Sequence, residues 1–351
     1  MLYLDANATE SPRPAALDAA LAAMRVAGNP SSIHAAGRAA RRVLEDAREA
    51  IARAFGGIPA DTVLTAGGTE ADTLALRGLS AGRRILAGAT EHPAIRAIPH
   101  TEIPVQPDGT LDLAALEALL AEGEPALVAV MAANNETGVL HPLEQVAALC
   151  RAHGALLHVD AVQAAGRIAI PPGWDSLAIS GHKLGAPMGA GALLLRPGLH
   201  PQAIITGGGQ ERGRRGGTEP LPAIAGMGVA AGLAVPDPRI AALRDAIEAG
   251  LPEGALVAGQ AAPRLPNTSC VILPGVSAER QLLLLDQAGV CVSSGSACSS
   301  GKVSRSHVLL AMGLGEGAGQ AIRVSLPWDA PEDTAERFLA AYRAMAQRLR
   351  R

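Results

Sequence analysis

Lysine is almost absent from this 351-residue chain, although arginine is common. All but two of the 30 basic residues are arginine, and the two lysines are Lys183 and Lys302. Arginine replaces lysine wherever only a positive charge is needed, but it cannot supply the primary amine that forms an imine with a carbonyl group. Both lysines are therefore candidates for imine chemistry, against the alternative that a lysine survives by chance.

Lys183 is the stronger candidate because of its position in the chain. It follows an apolar run at 177–179 and a short polar turn, Ser180-Gly181-His182. In open α/β sheets, ligands bind beyond the carboxyl ends of the strands. The position predicts that Lys183 forms a Schiff base with a bound carbonyl cofactor, and the alternative is an ordinary surface lysine in a loop.

An acidic residue, Asp160, ends another apolar run before Lys183. A carboxylate beside a lysine at the mouth of a sheet suits pyridoxal phosphate, because it keeps a proton on the pyridine nitrogen and lets the ring accept electrons. Gln163 could donate a hydrogen bond to the phenolate oxygen of the same cofactor. Taken alone, Asp160 is more typical of a helix N-cap, but its pairing with Lys183 favours the cofactor.

A glycine turn at Gly67 and Gly68 separates a short apolar run from a helix that begins at Thr69. Backbone N–H groups and the helix dipole at such a point suit a phosphate group. The motif is weak by itself, because Thr69 could simply cap the helix. The chain has neither the G-K-[ST] of a Walker loop nor a G-x-G-x-x-G motif after a first strand, so a nucleotide is not indicated.

Cys298 lies in a run of small residues over 292–301. Reactive cysteines occupy accessible segments, whereas structural cysteines lie among apolar residues, as Cys270 and Cys291 do. Cys298 is therefore a candidate nucleophile, and the alternative is a loop cysteine without a role. The four cysteines, which include Cys150, have no C-x-x-C spacing and are too few for a disulfide scaffold.

Short apolar runs alternate with amphipathic stretches through the first two thirds of the chain. Repeated β-loop-α units of this kind predict a mostly parallel sheet covered by helices. The predicted strands are 62–64, 84–87, 126–131, 156–159, 176–179 and 192–195, and the predicted helices are 15–26, 35–55, 69–79, 113–121, 143–153 and 220–234.

The pattern changes near residue 236, where Pro236 and Pro238 end a long helix rich in Ala and Gly. We predict a domain boundary there, with a large domain over 15–235 and a smaller domain over 236–351 that also includes 1–14. The smaller domain is predicted to contain helices at 240–250, 307–312 and 331–350 and strands at 269–273, 290–293 and 321–325.

Composition narrows the classes of protein. Hydrophobic residues make up 48% and charged residues 18%, as in a globular chain. The net charge of −3 gives no basic face for nucleic acid, and no apolar run approaches the roughly 18 residues that span a bilayer. Residues 1–10 lack the features of a secretory signal. We expect a cytoplasmic enzyme with no metal site and no nucleic-acid or membrane partner.

Together these motifs resemble those of the cysteine desulfurases of the NifS/IscS type, which belong to the class V aminotransferase-like enzymes. The matching segments follow the family's order from residue 3 to residue 325 and are jointly highly specific. They are 3–9 (YLDANAT), 29–34 (NPSSIH), 65–72 (TAGGTEAD), 91–93 (EHP), 134–138 (NNETG), 158–163 (HVDAVQ), 180–183 (SGHK), 207–218 (GGGQERGRRGGT), 293–301 (SSGSACSSG) and 322–325 (IRVS).

The resemblance implies a pyridoxal-phosphate-dependent transferase of fold type I, an α/β protein with a large, mostly parallel domain and a smaller C-terminal α/β domain. It implies that Lys183 holds the cofactor as a Schiff base, that Asp160 pairs with the pyridine nitrogen and that Gln163 pairs with the phenolate. It also implies that His92 stacks on the ring and moves protons.

The resemblance further implies a homodimer, in which Thr218 of one subunit completes the phosphate site of the other. Asn135 and Arg323 are implied to hold the substrate carboxylate. Cys298 is implied to take the sulfur of L-cysteine as a persulfide while alanine is released. The phosphate-binding residues of the same subunit are implied to be Gly68, Thr69, Ser180 and His182.

Two alternatives stay open from the sequence. A selenocysteine lyase or another class V aminotransferase or lyase would share the lysine and the aspartate without requiring Cys298 in that loop. A catalytically silent scaffold for iron–sulfur assembly partners would not need to retain Cys298, His92 and Arg323. The sulfur acceptor, whether an iron–sulfur scaffold, a tRNA-thiolation protein or another carrier, is not identified by the sequence.

Overall fold

The structure is a computed structural model of the chain, and it describes residues 1–295 and 305–349. Twelve strands and eleven helices lie within these ranges. The strands are β1 (Leu2–Tyr3), β2 (Thr62–Thr65), β3 (Arg84–Gly88), β4 (Thr101–Ile103), β5 (Ala126–Met131), β6 (Leu156–Asp160), β7 (Ser176–Ser180), β8 (Gly191–Leu195), β9 (Leu256–Val257), β10 (Thr268–Ile272), β11 (Val290–Cys291) and β12 (Ala321–Ser325). The helices are α1 (Pro14–Met24), α2 (Ala35–Ala54), α3 (Gly68–Leu79), α4 (Pro93–Arg96), α5 (Leu113–Ala121), α6 (Leu143–Ala152), α7 (Leu221–Leu233), α8 (Pro238–Ala249), α9 (Ala278–Gln287), α10 (His307–Ala311) and α11 (Thr334–Leu349).

Seven strands form the large sheet, in the order β2-β8-β7-β6-β5-β3-β4. The neighbouring pairs from β7 to β4 are all parallel, and only β8 runs against its two neighbours. This confirms the predicted mostly parallel α/β sheet. The parallel strands place their carboxyl ends at one edge of the sheet, where ligands bind in folds of this kind.

Side chains alternate between the two faces of the sheet, and each face is covered by helices. In β5, for example, Leu127 and Ala129 pack in one apolar cluster with Leu74 of α3, whereas Val128 and Val130 pack in another with Leu44 of α2. Burial on both faces explains why β5 is a continuous apolar run, as expected of a central strand in a parallel sheet.

A second, smaller sheet follows α7 in the chain. It has the antiparallel order β12-β10-β9 and packs with α8, α9 and α11 around an apolar cluster that contains Phe338 and Tyr342. The residues of this cluster come from 240–346 together with Leu2 and Leu4. The predicted boundary near residue 236 stays a prediction.

The N-terminal segment is built into the C-terminal part of the fold. Strand β1 pairs in parallel with β11, and Asp5 bridges to Ser325 at the end of β12. The next residues reach the large sheet, where the N–H group of Glu10 donates to the carbonyl of His182. Residues 5–10 therefore cross between the two sheets beside the carboxyl end of β7.

No single helix in the described residues is long and apolar enough to cross a membrane. Helices α7 and α8 would reach the required length and composition only as a pair, and the pair is bent by 82°.

Candidate active site

The two sequence-predicted residues Asp160 and Lys183 lie at the carboxyl ends of adjacent strands. Strands β6 and β7 pair in parallel, with Asp160 opposite Ala178. Asp160 is the last residue of β6, and Lys183 ends a single 3-10 turn that follows β7 directly. The strand-end argument from the sequence therefore predicted where both residues lie in the sheet.

Both residues line one cavity of about 590 Å³. The structure brings ten of the predicted site residues together there: Gly68, Thr69, His92, Asn135, Asp160, Gln163, Ser180, His182, Lys183 and Arg323. Their individual roles stay predictions.

A close backbone approach shapes the end of the cavity where α3 begins. A Cβ atom on Gly68 would lie 2.6 Å from Cγ2 of Val162, and one on Gly191 would lie 2.6 Å from the Cα of Gly67. These contacts explain why glycine occupies the turn. The first backbone N–H groups of α3 and the side chains of Thr69 and Ser180 are thus left at the cavity wall, as a phosphate site requires.

The Lys183 amine is held by main-chain carbonyls of the N-terminal segment. Nζ donates to the carbonyls of Asn7 and Ala8, the latter at 2.9 Å. Burial, and then the nearby positive charges of Arg323 and Arg167, lower the pKa of Lys183 to about 7. A large fraction of the amine is therefore unprotonated at neutral pH, as a nucleophile that attacks a carbonyl must be.

Asp160 is buried in the wall of the cavity. Burial, and then the carboxyl of Asp72, raise the pKa of Asp160 to about 7. Its Oδ1 accepts a hydrogen bond from the N–H group of Val162 at 2.9 Å. A carboxylate in this environment gains from a cationic partner, and a protonated pyridine nitrogen supplies one.

Asp72 and His158 form a buried pair beside Asp160. His158 Nε2 lies 3.1 Å from Asp72 Oδ1, and its Nδ1 lies 2.9 Å from Ser176 Oγ. Burial raises the pKa of Asp72 to about 8 and lowers that of His158 to about 4. Near pH 7, His158 is therefore neutral and Asp72 is mostly protonated.

His92 caps α4 from the wall of the cavity. The N–H group of Ala94 donates to Nδ1 of His92 at 3.2 Å, so the neutral ring carries its proton on Nε2. Burial and the charge of Lys183 lower the pKa of His92 to about 4. The ring is neutral at pH 7 and leaves Nε2 as the nitrogen for proton exchange.

Arg323 presents its guanidinium to the cavity from β12. Nη1 donates to the carbonyl of Asn135 at 3.2 Å and Nη2 to Asp5 Oδ1 at 2.8 Å. Among the described residues, Arg323 Nε is buried and lacks a hydrogen-bond partner. Arg323 lines the cavity, and a guanidinium suits an anionic ligand group such as a carboxylate.

One predicted residue does not join the cavity wall in this chain, and another lies outside the described residues. Thr218 is exposed and belongs to the segment 207–218. Within this segment, Glu211 accepts a hydrogen bond from the N–H group of Leu64. Cys298 lies outside the described residues, as does Lys302. The flanking residues Ser293, Gly295 and Arg305 line the cavity.

Several cavity residues received no role from sequence reasoning. Asn7, Asp72 and Glu136 lie inside segments that match the family, but their types alone suggested no chemistry. Glu136 is buried and accepts a hydrogen bond from Ser306 Oγ at 2.5 Å. His307 at the start of α10 donates from Nε2 to the carbonyl of Glu91 at 3.1 Å, and no motif signalled it.

The residues around the cavity fit pyridoxal phosphate. A turn at which Gly68 packs closely against Val162 suits its phosphate, a buried carboxyl suits its pyridine nitrogen, and an amine of lowered pKa suits its aldehyde. Within 1–295 and 305–349, no group of three or more His, Cys, Asp or Glu side chains could hold a metal ion.

Comparisons with known proteins identify the family of the chain. The sequence profile of the aminotransferase class-V family matches residues 2–338. A cysteine desulfurase of Cereibacter sphaeroides is 44% identical and is aligned over 93% of this chain and 90% of its own length. An IscS-like cysteine desulfurase of Mycobacterium tuberculosis is 36% identical over 100% of this chain and 98% of its own.

A solved structure shows the same fold at full length. The X-ray structure of a NifS-like protein from Rickettsia africae superposes with a TM-score of 0.92, at 34% identity, over 99% of both chains. Profile, relatives and structure agree along the whole chain, and the chain therefore belongs to the aminotransferase class-V family and, within it, to the cysteine desulfurases.

Proposed function

We propose that this enzyme takes sulfur from L-cysteine, with pyridoxal phosphate bound at Lys183, and that it releases L-alanine and leaves a persulfide on Cys298. The observation that supports this most directly is the shared cavity, which is lined by a lysine of lowered pKa, a buried aspartate and an arginine. When bound, pyridoxal phosphate supplies an aldehyde that condenses with amines and a ring that accepts an electron pair.

Each residue of the chain has a distinct task in this proposal. Lys183 attaches the cofactor through its amine and later exchanges protons at the substrate carbon. Asp160 holds a proton on the pyridine nitrogen, because the pair removes the cost of leaving its carboxylate buried and unpaired. Arg323 and Asn135 bind the substrate carboxylate, and His92 Nε2 moves protons at the other face of the cavity.

Sulfur transfer is assigned to Cys298. Its thiolate attacks the substrate sulfur, a new S–S bond forms, and the substrate C–S bond breaks with its electron pair left on carbon. A proton then completes L-alanine, and Cys298 carries the additional sulfur as a persulfide. A thiol reductant returns the cysteine to its starting state by releasing sulfide.

The first experiment compares the unmutated protein with Cys298→Ser. We expect the unmutated protein to be yellow and to form alanine and sulfide from L-cysteine with a thiol reductant. Mass spectrometry without reductant should find one additional sulfur on the peptide that contains Cys298. Cys298→Ser should keep the cofactor and release no sulfur. If it produces sulfide at the normal rate, a lyase without a cysteine nucleophile is the better assignment.

The proposal includes a homodimer with a shared phosphate site. Thr218 is exposed and distant in sequence from the turn that it is proposed to complete. A second cleft of about 620 Å³ opens beside Thr69 and is lined by the exposed side chains of Met188, Ile204 and Ile205. An apolar cleft next to the phosphate turn suits a second subunit. Sedimentation at low micromolar concentration should show a dimer, and a fully active monomer would contradict it.

The product of the reaction requires an acceptor protein. We propose that the persulfide passes to a sulfur carrier or an iron–sulfur scaffold in the cytoplasm, a reducing compartment in which thiols stay free. Cys150, Cys270 and Cys291 are free cysteines in the described part of the chain, in accordance with that environment.

A further inference from the structure

Arg167 is a buried cation that contacts the active site from behind its wall. It lies four residues after Gln163, and its Nη1 donates to the side-chain oxygen of Gln163 at 2.6 Å and to the Gln163 carbonyl at 3.1 Å. Its Nη2 donates to the carbonyl of Ala6 at 3.4 Å and to Glu10 Oε2 at 3.3 Å. One guanidinium therefore joins the cofactor-facing loop after β6 to the N-terminal segment.

These contacts fix the orientation of the Gln163 amide. A guanidinium only donates hydrogen bonds, so the amide group must turn its oxygen toward Arg167. The amide nitrogen donates to the carbonyl of Asn7 at 3.0 Å, and the same carbonyl accepts from Lys183 Nζ. The second N–H of the amide remains available at the cavity wall, which Gln163 lines.

We propose that Arg167 is a positioning residue for the cofactor: it holds the Gln163 amide with an N–H group toward the cavity, so that this group donates to the phenolate oxygen of bound pyridoxal phosphate. The inference rests on the proposed function. If the amide turned over, its oxygen would face the phenolate, and two acceptors would repel each other instead of forming a hydrogen bond.

Glu10 supplies the counter-charge of Arg167, which is also held by its bonds to Gln163 and to the carbonyl of Ala6. Its Oε1 accepts from the N–H groups of Ser11 at 2.9 Å and Trp328 at 3.2 Å, while Oε2 binds Arg167. Removal of Arg167 alone would leave the Glu10 carboxyl buried without its partner, which is strongly destabilising. A variant that tests positioning must therefore neutralise both residues at once.

The test compares Glu10→Gln, which keeps the guanidinium, with Glu10→Gln/Arg167→Met, which removes it. The measurements are the absorption maximum of the bound cofactor and the dissociation constant for pyridoxal phosphate, determined by titration of cofactor-stripped full-length protein. We expect Glu10→Gln to keep the spectrum and the affinity. The double variant should bind the cofactor about tenfold more weakly, as expected for loss of one buried hydrogen bond, with a shifted absorption maximum.

Gln163→Ala shows whether Arg167 acts through Gln163. Alone it should weaken binding and shift the spectrum in the same direction as the double variant. Added to the double variant it should have almost no further effect, because both changes remove the same interaction. Arg167→Lys keeps a charge beside Glu10 without the two-pronged fork, and it should give a smaller shift of the same sign.

A purely structural Arg167 would give a different pattern. The melting temperature of the double variant would fall while its spectrum and its affinity for pyridoxal phosphate stayed unchanged, and that result overturns the inference. If the double variant and Gln163→Ala weaken cofactor binding additively when they are combined, that result would also overturn the inference. If the unmutated protein does not bind pyridoxal phosphate, that result would instead contradict the proposed function itself.

Discussion

Arg323 and Asp5 form an ion pair across the cavity wall, with Nη2 of the arginine 2.8 Å from Oδ1 of the aspartate. The pair orients the guanidinium from the side, so that the donor at Nε is left without a partner among the described residues. Because Asp5 belongs to the N-terminal segment and Arg323 to β12, two distant parts of the chain determine how this guanidinium is oriented.

Replacement of Arg323 by lysine should therefore affect substrate binding more than cofactor binding. Lysine keeps the charge but loses the planar fork, and we expect KM for L-cysteine to rise at least about tenfold. Steady-state kinetics and the visible spectrum of the cofactor measure the two effects separately. Arg264→Lys is the matched control, because Arg264 forms a two-pronged bond with Glu248 outside the cavity wall. An unchanged KM in Arg323→Lys would contradict the carboxylate role.

Loss of the Lys183 amine should abolish attachment of the cofactor. We expect Lys183→Ala to lack the visible absorption band of the attached cofactor and to show no turnover, because only a primary amine can bond to its aldehyde. Lys302→Ala removes the other lysine and should keep the band. Borohydride reduction and peptide mapping identify the attachment site, and an adduct on Lys302 would exclude the assignment.

Capture of the cofactor should depend on pH in a range set by Lys183. Its pKa is lowered to about 7, so the fraction of neutral amine rises between about pH 6 and pH 8 and is nearly constant above. The rate at which stripped protein captures pyridoxal phosphate should follow this curve in stopped-flow absorbance. A lysine of ordinary pKa would instead give a rate that still rises near pH 10.

Asp160 needs a control in this experiment, because its pKa is also raised to about 7. Asp160→Asn removes that titration and should keep the rise in capture rate. A flat rate in Asp160→Asn would show that the aspartate, and not the lysine, sets the pH dependence.

A buried ion pair anchors residues 207–218, the segment that contains Thr218, and it should contribute strongly to the free energy of unfolding. Arg48 of α2 donates from both Nη atoms to Glu211, at 2.5 and 2.7 Å, and Glu211 Oε2 also accepts from the N–H group of Leu64 at 2.8 Å. Arg48→Met leaves the Glu211 carboxylate buried and should lower the free energy of unfolding by about 3–5 kcal/mol.

The double variant Arg48→Met/Glu211→Gln tests the reason for that loss. It removes both charges and keeps an acceptor for Leu64, so it should recover at least half of the stability. Denaturant unfolding of all three proteins gives the comparison. If the double variant is less stable than Arg48→Met, the cost does not come from an unpaired charge.

The sequence predicted the position of a site residue where a polar side chain follows an apolar run. Lys183 and Asp160 follow apolar runs, and the structure puts both at carboxyl ends of neighbouring parallel strands. Helix α5 and strand β5 have the bounds that the apolar pattern predicts. The helix predicted at 331–350 instead begins at Thr334, because the chain first turns at Pro331, whose carbonyl accepts from the Thr334 N–H and hydroxyl groups.

Other features have no sequence signal of this kind. Strands β1, β4 and β9 contain two or three residues each, too few to show an alternating pattern. The amine of Lys183 is held by backbone carbonyls, which every residue possesses, so residue type could not indicate Asn7 and Ala8 as its partners. The Asp72–His158 pair joins α3 to β6, and only the fold brings these residues together.

The crossing of residues 5–10 between the two sheets has a consequence for biosynthesis. The pairing partners of the N-terminal segment, β11 and β12, are translated about 290 to 320 residues after it. Contacts so far apart in sequence close late, because the entropy of the long intervening loop opposes them. The full set of contacts that residues 5–10 make with both sheets can thus form only after β12 has been translated. Until then, Lys183 lies at a sheet edge that β12 and its Arg323 do not yet cover.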